Sequence, residues 1–564
     1  MHANGTSLVA FLGGPKQFVI PIYQRPYSWT KKQCEQLWND ILRNAEDSAT
    51  SGHFMGSVCV IDHQGDPALP KWLVIDGQQR LTTISLLLSA LSKVIKSSGK
   101  TTSVNADGLT ANYLINQFES GDRKYKLLLN QKDRETYIHL FEGLDTPSHS
   151  SQFLVNNYRY FEEQITKTDT NFEQLYQGIC KLQIVQILLN SENDDPQLIF
   201  ESLNSTGLDL SQADMIRNFV LMRLTPAEQE SVYHFHWFPM EKSFDRASPE
   251  LFDHFIRDYL TLKSKGRIPV LREVFTTFKV YTRSQTTALM PEIVADVYHY
   301  SKHFCKLAFA QESDPDINQF LLDIQTLKVD VAYPFLLEVY EDYSQGLLSK
   351  NEFLSILQMV ESYVFRRAIC GIPTNSMNKT FAHLSKEIDH SNYFESVQKA
   401  FINKRSYQRF PNDEEFCQAF VIKDVYNFRS RNYLLLKLEN YGHPADPLSG
   451  VGDLTIEHIL PQNKNLSLQW RTELGKDWEQ IQARYLHTIG NLTLTEYNST
   501  MSDRSFIEKR DLKNENNKPI GFSGSHLYLN KELGRFEFWN ESLIKERASH
   551  LADDAARIWK FPQF

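Results

Sequence analysis

The chain has 564 residues, 41% of them apolar and 12% aromatic. That is too long for one hydrophobic core and apolar enough to fill several, so two to four domains are expected. Its 60 Lys and Arg against 69 Asp and Glu give a net charge of -9 and a pI near 6.0, which excludes a protein that coats nucleic acid through its overall charge and leaves only local contact.

The stretch 421–564 carries 19 basic and 19 acidic residues, so the negative excess lies upstream of it. Cys34, Cys59, Cys180, Cys305, Cys370 and Cys417 are scattered, with no CxxC pair and none after residue 417. This fits a reducing compartment and excludes a cysteine zinc staple at the C-terminal end. No apolar run reaches the length of a membrane span, and the first residues lack a basic stretch followed by a sustained apolar core. A cytoplasmic protein without membrane contact is expected.

In chain order, 18–23 reads as a short strand, and apolar residues at helical spacing predict a helix over 31–44. Residues 58–62 and 72–75 are two further strands, separated by the turn-rich 63–67. The second runs straight into a helix over 82–95 that is apolar on most sides and therefore buried. Residues 97–112 and 145–152, rich in small polar side chains, read as surface loops. From 150 to 420 the pattern is mostly helical, with long segments at 319–340 and 352–367 and no fixed-period repeat, which argues for a bundle over a solenoid. The densest Gly/Pro cluster, 441–453, leads into the C-terminal motif, with 433–438 as a supporting helix or strand. The class is α+β and multi-domain, divided as 1–225, 226–420 and 421–564.

Two stretches carry chemistry near the C-terminus. Thr455-Ile456-Glu457-His458-Ile459-Leu460-Pro461-Gln462 ends an apolar strand in an acid and a histidine, with a proline to stop it. Gly490-Asn491-Leu492-Thr493-Leu494 is followed by Asn498 and Lys509. An acid and a histidine at a strand end are ordinary alone; the whole series is not, and it resembles the His-Asn-Asn form of the HNH, or ββα-metal, nuclease motif. On that reading His458, with an unperturbed pKa of ~6.5, is the general base taking a proton from water. Glu457 and Asn498 offer oxygen donors to Mg²⁺ or Mn²⁺. Asn491 belongs to the catalytic set mainly by tying the loop together, and Lys509 neutralises phosphate charge. His487 is a rival base for which a structural role is favoured.

At the other end, Tyr23-Gln24-Arg25-Pro26-Tyr27-Ser28-Trp29 follows a strand, and Asp76-Gly77-Gln78-Gln79-Arg80 joins a strand to the buried helix. Gly77 permits a tight turn, Gln78, Gln79 and Arg80 supply donors, and a helix N-terminus attracts anions, so the second segment is a candidate triphosphate cradle without a P-loop. Arg80 could equally hold a structural carboxylate. A third segment, 200–211, contains Asn204 and reads locally as a glycine turn capped by Asp209 or Ser211, leading into a helix with Asp214, Arg217 and Asn218.

Taken together, residues 20–29, 74–83 and 200–207 resemble the GmrS-like domain, and the C-terminal series resembles the GmrD-like HNH domain. The whole looks like a fused GmrSD-type, modification-dependent restriction endonuclease, related to the BrxU and SspE phage-defence nucleases. The resemblance implies a ParB/sulfiredoxin-like N-terminal domain that binds and hydrolyses nucleoside triphosphates, with Tyr23, Gln24, Arg25, Asp76, Gly77, Gln78, Gln79, Arg80 and Asn204 as nucleotide-site residues. It also implies a nuclease acting on phage DNA with modified bases or backbone, and a second copy of the chain is a candidate partner. Glu457 stands where Asp is commoner in HNH proteins, which bears on metal geometry. The competing readings are a nucleotide-switched, ParB-like DNA-binding sensor and an unspecific HNH toxin.

Overall fold

The computed structural model describes the chain except for residues 47–51, 64–65, 168–169, 191–193, 205–209, 245–249, 286, 445–446, 449, 451 and 564, together with the side chains of residues 203 and 204. Two compact units form, one from Met1–Asp253 with Leu271–Tyr298, the other from His254–Val270 with His299–Phe564. Residues 226–420 are thus divided between the two units.

The first unit is built on a six-stranded mixed sheet. Its strands are β1 (His2–Ser7), β2 (Gln17–Val19), β3 (His53–His63), β4 (Lys71–Asp76), β5 (Leu127–Leu128) and β6 (Leu182–Leu189), in the order β1-β6-β3-β4-β2-β5. β1 runs antiparallel to β6 and β3 antiparallel to β4, while β3–β6, β4–β2 and β2–β5 are parallel. The strand expected over 18–23 ends at Val19, because Pro21 has no N–H to give the ladder and restrains Ile20 before it.

β6 is a strand that the mostly helical reading of 150–420 did not single out. Leu182, Ile184, Ile187 and Leu189 are buried, and the strand lies between β1 and β3. Alternation within eight largely apolar residues is weak evidence when helices surround them.

The buried helix expected from Thr82 starts earlier, at Gln78, and runs to Ser98. It packs against helices Ala106–Tyr113 and Gln152–Thr166 in a core that includes Leu81, Ile84, Leu88, Leu91 and Phe161. Helix Ala106–Tyr113 overturns the reading of 97–112 as loop throughout. Asn105 Oδ1 caps it by accepting from Gly108 N at 3.0 Å, and Ala106 and Leu109 are buried.

The second unit is largely helical. The segment 319–340 is two helices, Pro315–Leu327 and Tyr333–Ser344, because Lys328 turns the chain with φ +55°. Helix Lys350–Ile369 starts in a capping box made by Ser349 and Glu352, and 433–438 lies inside helix Arg431–Gly442. Near the C-terminus β7 (Thr455–His458) and β8 (Leu492–Thr495) form a two-stranded antiparallel sheet, with helices Leu468–Leu474 and Trp478–Tyr485 between them. Trp559, after the final helix Glu541–Ile558, stacks on Phe365 with centroids 3.9 Å apart. Among the described residues no helix is long and apolar enough to cross a membrane.

Gly77 makes the entry from β4 into the buried helix possible. Its φ is +96°, and a Cβ there would lie 3.0 Å from Val58 Cγ2 and 3.2 Å from Ser57 O. Gly77→Ala is therefore expected to destabilise the first unit by about 1–3 kcal/mol, read as a lower Tm; an unchanged Tm would mean that the turn does not need its glycine.

Candidate functional site

In β7 successive side chains leave on opposite faces, so Glu457 and His458 diverge. The strand register sets Glu457 opposite Thr493 and His458 opposite Leu492. Beyond His458 the chain leaves the sheet, and its backbone polar groups are taken up by side chains. Leu460 N donates to Asn491 Oδ1 at 2.7 Å, and Asn491 Nδ2 donates to the carbonyls of Leu460 and Leu486, each at 3.0 Å. Trp539 Nε1 also donates to Asn491 Oδ1, at 3.3 Å. Asn491 is completely buried and ties the loop together.

Glu457 is buried and meets the equally buried Lys509, with Nζ 2.5 Å from Oε1. The same ammonium donates to the carbonyls of His458 at 2.8 Å and Ile459 at 3.2 Å. Its three protons are thereby committed. Burial raises the Glu457 carboxyl pKa and lowers that of Lys509, and in each case the partner's charge opposes the shift. Lys509 therefore differs from the expectation of a phosphate contact: it braces the end of β7 from inside. Asn498 opens the short helix Asn498–Met501 and donates through Nδ2 to Ile456 O at 2.6 Å. Its Oδ1 makes no bond among the described residues.

On the other face, His458 contacts His487, Gln462 and Tyr426. Gln462 Nε2 donates to His458 Nδ1 at 2.7 Å, which leaves the proton of the neutral ring on Nε2, facing His487 Nδ1 at 3.1 Å. The Tyr426 ring stacks on His487 at 5.1 Å and meets His458 edge-on at 4.5 Å. Burial, followed by the neighbouring His487 and Lys509, pushes the His458 pKa down to about 3, with Asp424 opposing. His458 is therefore a neutral imidazole at physiological pH. His487 is its immediate neighbour.

Two residues outside the motif also hold it. Arg547, buried on helix Glu541–Ile558, donates through Nη1 to the carbonyls of Ile489, Gly490 and Leu492, and through Nη2 to that of Leu529. The same helix approaches so closely that a Cβ on Gly490 would lie 2.3 Å from Ile544 O. The only sequence signal for Arg547 is a charge on the apolar face formed by Ile544, Ala548, Leu551 and Ala555.

In the first unit the N-terminal motifs converge. Gln24 Nε2 donates to Ile75 O at 2.8 Å, and Arg217 Nε donates to Tyr23 O at 2.9 Å. Arg217 is held in turn by Asp214 at 2.7 Å and by Glu241. Gln79 Oε1 accepts from Ser28 N at 2.9 Å and Trp29 N at 3.3 Å, so it braces the loop after β2. Gln78, also buried, begins the helix after Gly77. Arg80 Nη1 donates to Ser57 O and lies 3.8 Å from Asp76. Arg25 has no ion partner among the described residues. Burial lowers its pKa, opposed by Asp214 and Asp76 nearby. Asn204 ends helix Pro196–Asn204, and its side chain, with residues 205–209, lies outside the described residues. Beside Tyr23 a cavity of about 470 Å³ is walled by Ile20, Ile61, Leu73, Ile75 and Met222, with Asn130 and Glu230 on its lining. That size suits a small-molecule ligand.

Both motif sets fall in regions matched by known families. Residues 8–221 match the GmrSD restriction endonuclease N-terminal domain, and residues 410–554 match the GmrSD restriction endonuclease C-terminal domain. The chain belongs to the GmrSD family. It carries both GmrSD domains in one polypeptide, with 222–409 between the matched regions. It is also 25% identical over 233 residues to an uncharacterized protein of Methanocaldococcus jannaschii, a match covering 36% of this chain and 38% of that protein.

The brace in this GmrSD C-terminal domain is testable. Lys509→Met leaves Glu457 buried without a partner and should cost about 3–5 kcal/mol, seen in denaturant unfolding. Unchanged stability together with weaker DNA binding and a shallower salt dependence would instead assign Lys509 to phosphate.

Proposed function

We propose that this GmrSD chain is a nucleotide-regulated, divalent-metal-dependent DNA endonuclease restricting phage DNA with modified bases or backbone. The observation that carries the reading is a neutral His458 at the end of β7, next along the strand from Glu457, with Asn498 tied to the same strand through Ile456 O, inside the matched C-terminal domain.

The donor set fits Mg²⁺ or Mn²⁺. Glu457 commits Oε1 to Lys509 and keeps Oε2, and Asn498 keeps Oδ1, giving two hard oxygen donors. A cation held there would supply positive charge to the scissile phosphate and its leaving oxygen. His458 takes the proton of the attacking water at Nδ1, the nitrogen that accepts from Gln462 here, so the Gln462 amide must give way to water. His458 Nε2–H faces His487 Nδ1. The water oxygen bonds to phosphorus, the P–O bond to the leaving strand breaks, and the leaving oxygen is protonated from solvent. Asn491, Arg547 and Lys509 hold the strand ends fixed.

In the N-terminal domain Arg25 is the guanidinium free to meet a phosphate, whereas Arg80 is occupied by Ser57 O and Asp76. The cavity beside Tyr23, whose lining includes Arg134 and not Arg25, offers apolar walls for a base. Nucleotide binding there regulates cleavage.

His458→Ala is expected to lower cleavage of modified DNA with Mg²⁺ or Mn²⁺ by about a hundredfold to ten-thousandfold while DNA binding persists. Arg25→Ala is expected to weaken nucleoside triphosphate binding and to remove the nucleotide effect on cleavage. No cleavage by wild type on any substrate would favour the sensor reading, and equal nicking of unmodified plasmid the toxin reading. A cleavage rate indifferent to nucleotides would end the regulatory part alone.

A further inference from the structure

Three side chains in the second unit converge without a role in either reading above. His299 and His303 are four residues apart on helix Met290–Phe309, so their imidazoles leave the same face. Glu341 comes from helix Tyr333–Ser344. Both imidazole Nε2 atoms point at one carboxylate oxygen, Glu341 Oε2, at 2.5 Å from His299 and 2.7 Å from His303. One ligand atom from each residue lies within 4.8 Å of the other two. The imidazole centroids are 4.7 Å apart and their planes cross at 77°, so the rings are turned toward a common point and not stacked.

We propose that His299, His303 and Glu341 form a Zn²⁺ site. Two imidazoles with one carboxylate suit a borderline transition-metal dication and not a hard Mg²⁺ or Ca²⁺ ion, which prefers oxygen alone. Ligand atoms about 2.1 Å from a tetrahedral zinc stand about 3.4 Å from one another. The two N···O distances therefore need to open by under about 1 Å, and side-chain rotation can supply that.

The surroundings favour an ion. Gln345 Nε2 donates to Glu341 Oε1 at 2.5 Å, which orients the carboxylate and leaves Oε2 for the centre. The Tyr340 ring lies against His303 at 4.7 Å. The nearby Lys306 directs its charge to Glu312 at 3.2 Å and donates to Tyr340 OH at 2.9 Å. His303 and Glu341 are largely buried, whereas the His299 side chain is 42% exposed, so the ion would have a solvent side for a water ligand.

A histidine pair at i, i+4 with a Glu from a neighbouring helix is also the ligand set of many zinc peptidases, which carry a glutamate base directly after the first histidine. Tyr300 stands at that place here. The geometry points to a metal that joins two helices, without peptidase chemistry.

The test is calorimetric titration of chelator-stripped, full-length protein with ZnCl₂, using wild type, His299→Ala, Glu341→Gln and His458→Ala. The last accounts for zinc taken up by the His458–His487 pair. Wild type and His458→Ala are expected to share a Zn²⁺ site that His299→Ala and Glu341→Gln weaken by about a hundredfold or more. Co²⁺ should give a visible ligand-field band in wild type that His299→Ala loses. Because His299 is partly exposed, its variant should fold, which circular dichroism checks. A folded His299→Ala with wild-type Zn²⁺ affinity and stoichiometry, or a wild type that takes up no zinc outside His458, would overturn the proposal.

Discussion

The buried ammonium of Lys509 sets what the end of β7 can be. A strand that alternates its side chains must send Glu457 and His458 to opposite faces, and the chain then leaves the sheet with its carbonyls unpaired. One Lys509 side chain meets both demands, pairing with Glu457 and donating to the carbonyls of His458 and Ile459. Asn491 does the same for Leu460, and Arg547 for the carbonyls of the Gly490 turn. The other face is thus left with His458, its neighbour His487, and the Gln462 amide on His458 Nδ1. Burial keeps that imidazole neutral and lowers its basicity, so it accepts a proton less readily than a free histidine.

The first unit uses the same economy of buried polar groups around a different geometry. β4 passes into a helix buried on most sides through Gly77, whose φ is +96° and where a Cβ would crowd Val58 and Ser57. Around this turn the loop after β2 is held by Gln24, Gln79 and Arg217 through backbone groups. Among the described residues, Gln24, Gln79 and Arg217 are thus spent on holding the motifs together. Arg25 is close to Asp76 and Asp214 but forms no ion pair with either.

Local patterns in the sequence reached some of this and missed the rest for physical reasons. The acid–histidine strand end, the Gly490-Asn491 turn and the Asp76–Arg80 junction were legible because each is a short run of residues with a narrow conformational demand. Asn491 reads correctly as a loop tie, since an amide beside a glycine turn commonly bonds backbone. The inward direction of Lys509 was not legible, because only its reach from helix Phe506–Arg510 to Glu457 and the His458 carbonyl decides it. Arg547 and Tyr426 lie far from the motif in sequence and near it in space. β6 was hidden by its helical neighbours, and the break at Lys328 within 319–340 rests on a left-handed residue that periodicity does not register.

The most direct measurement is an anomalous-diffraction map of His458→Ala bound to DNA and Mn²⁺. The account predicts a manganese peak ligated by oxygens of Glu457 and Asn498 beside the scissile phosphate, with Lys509 still bonded to Glu457. A manganese peak away from both residues, or DNA seated on another face with no peak at β7, would contradict the assignment of this strand end as the cleavage centre.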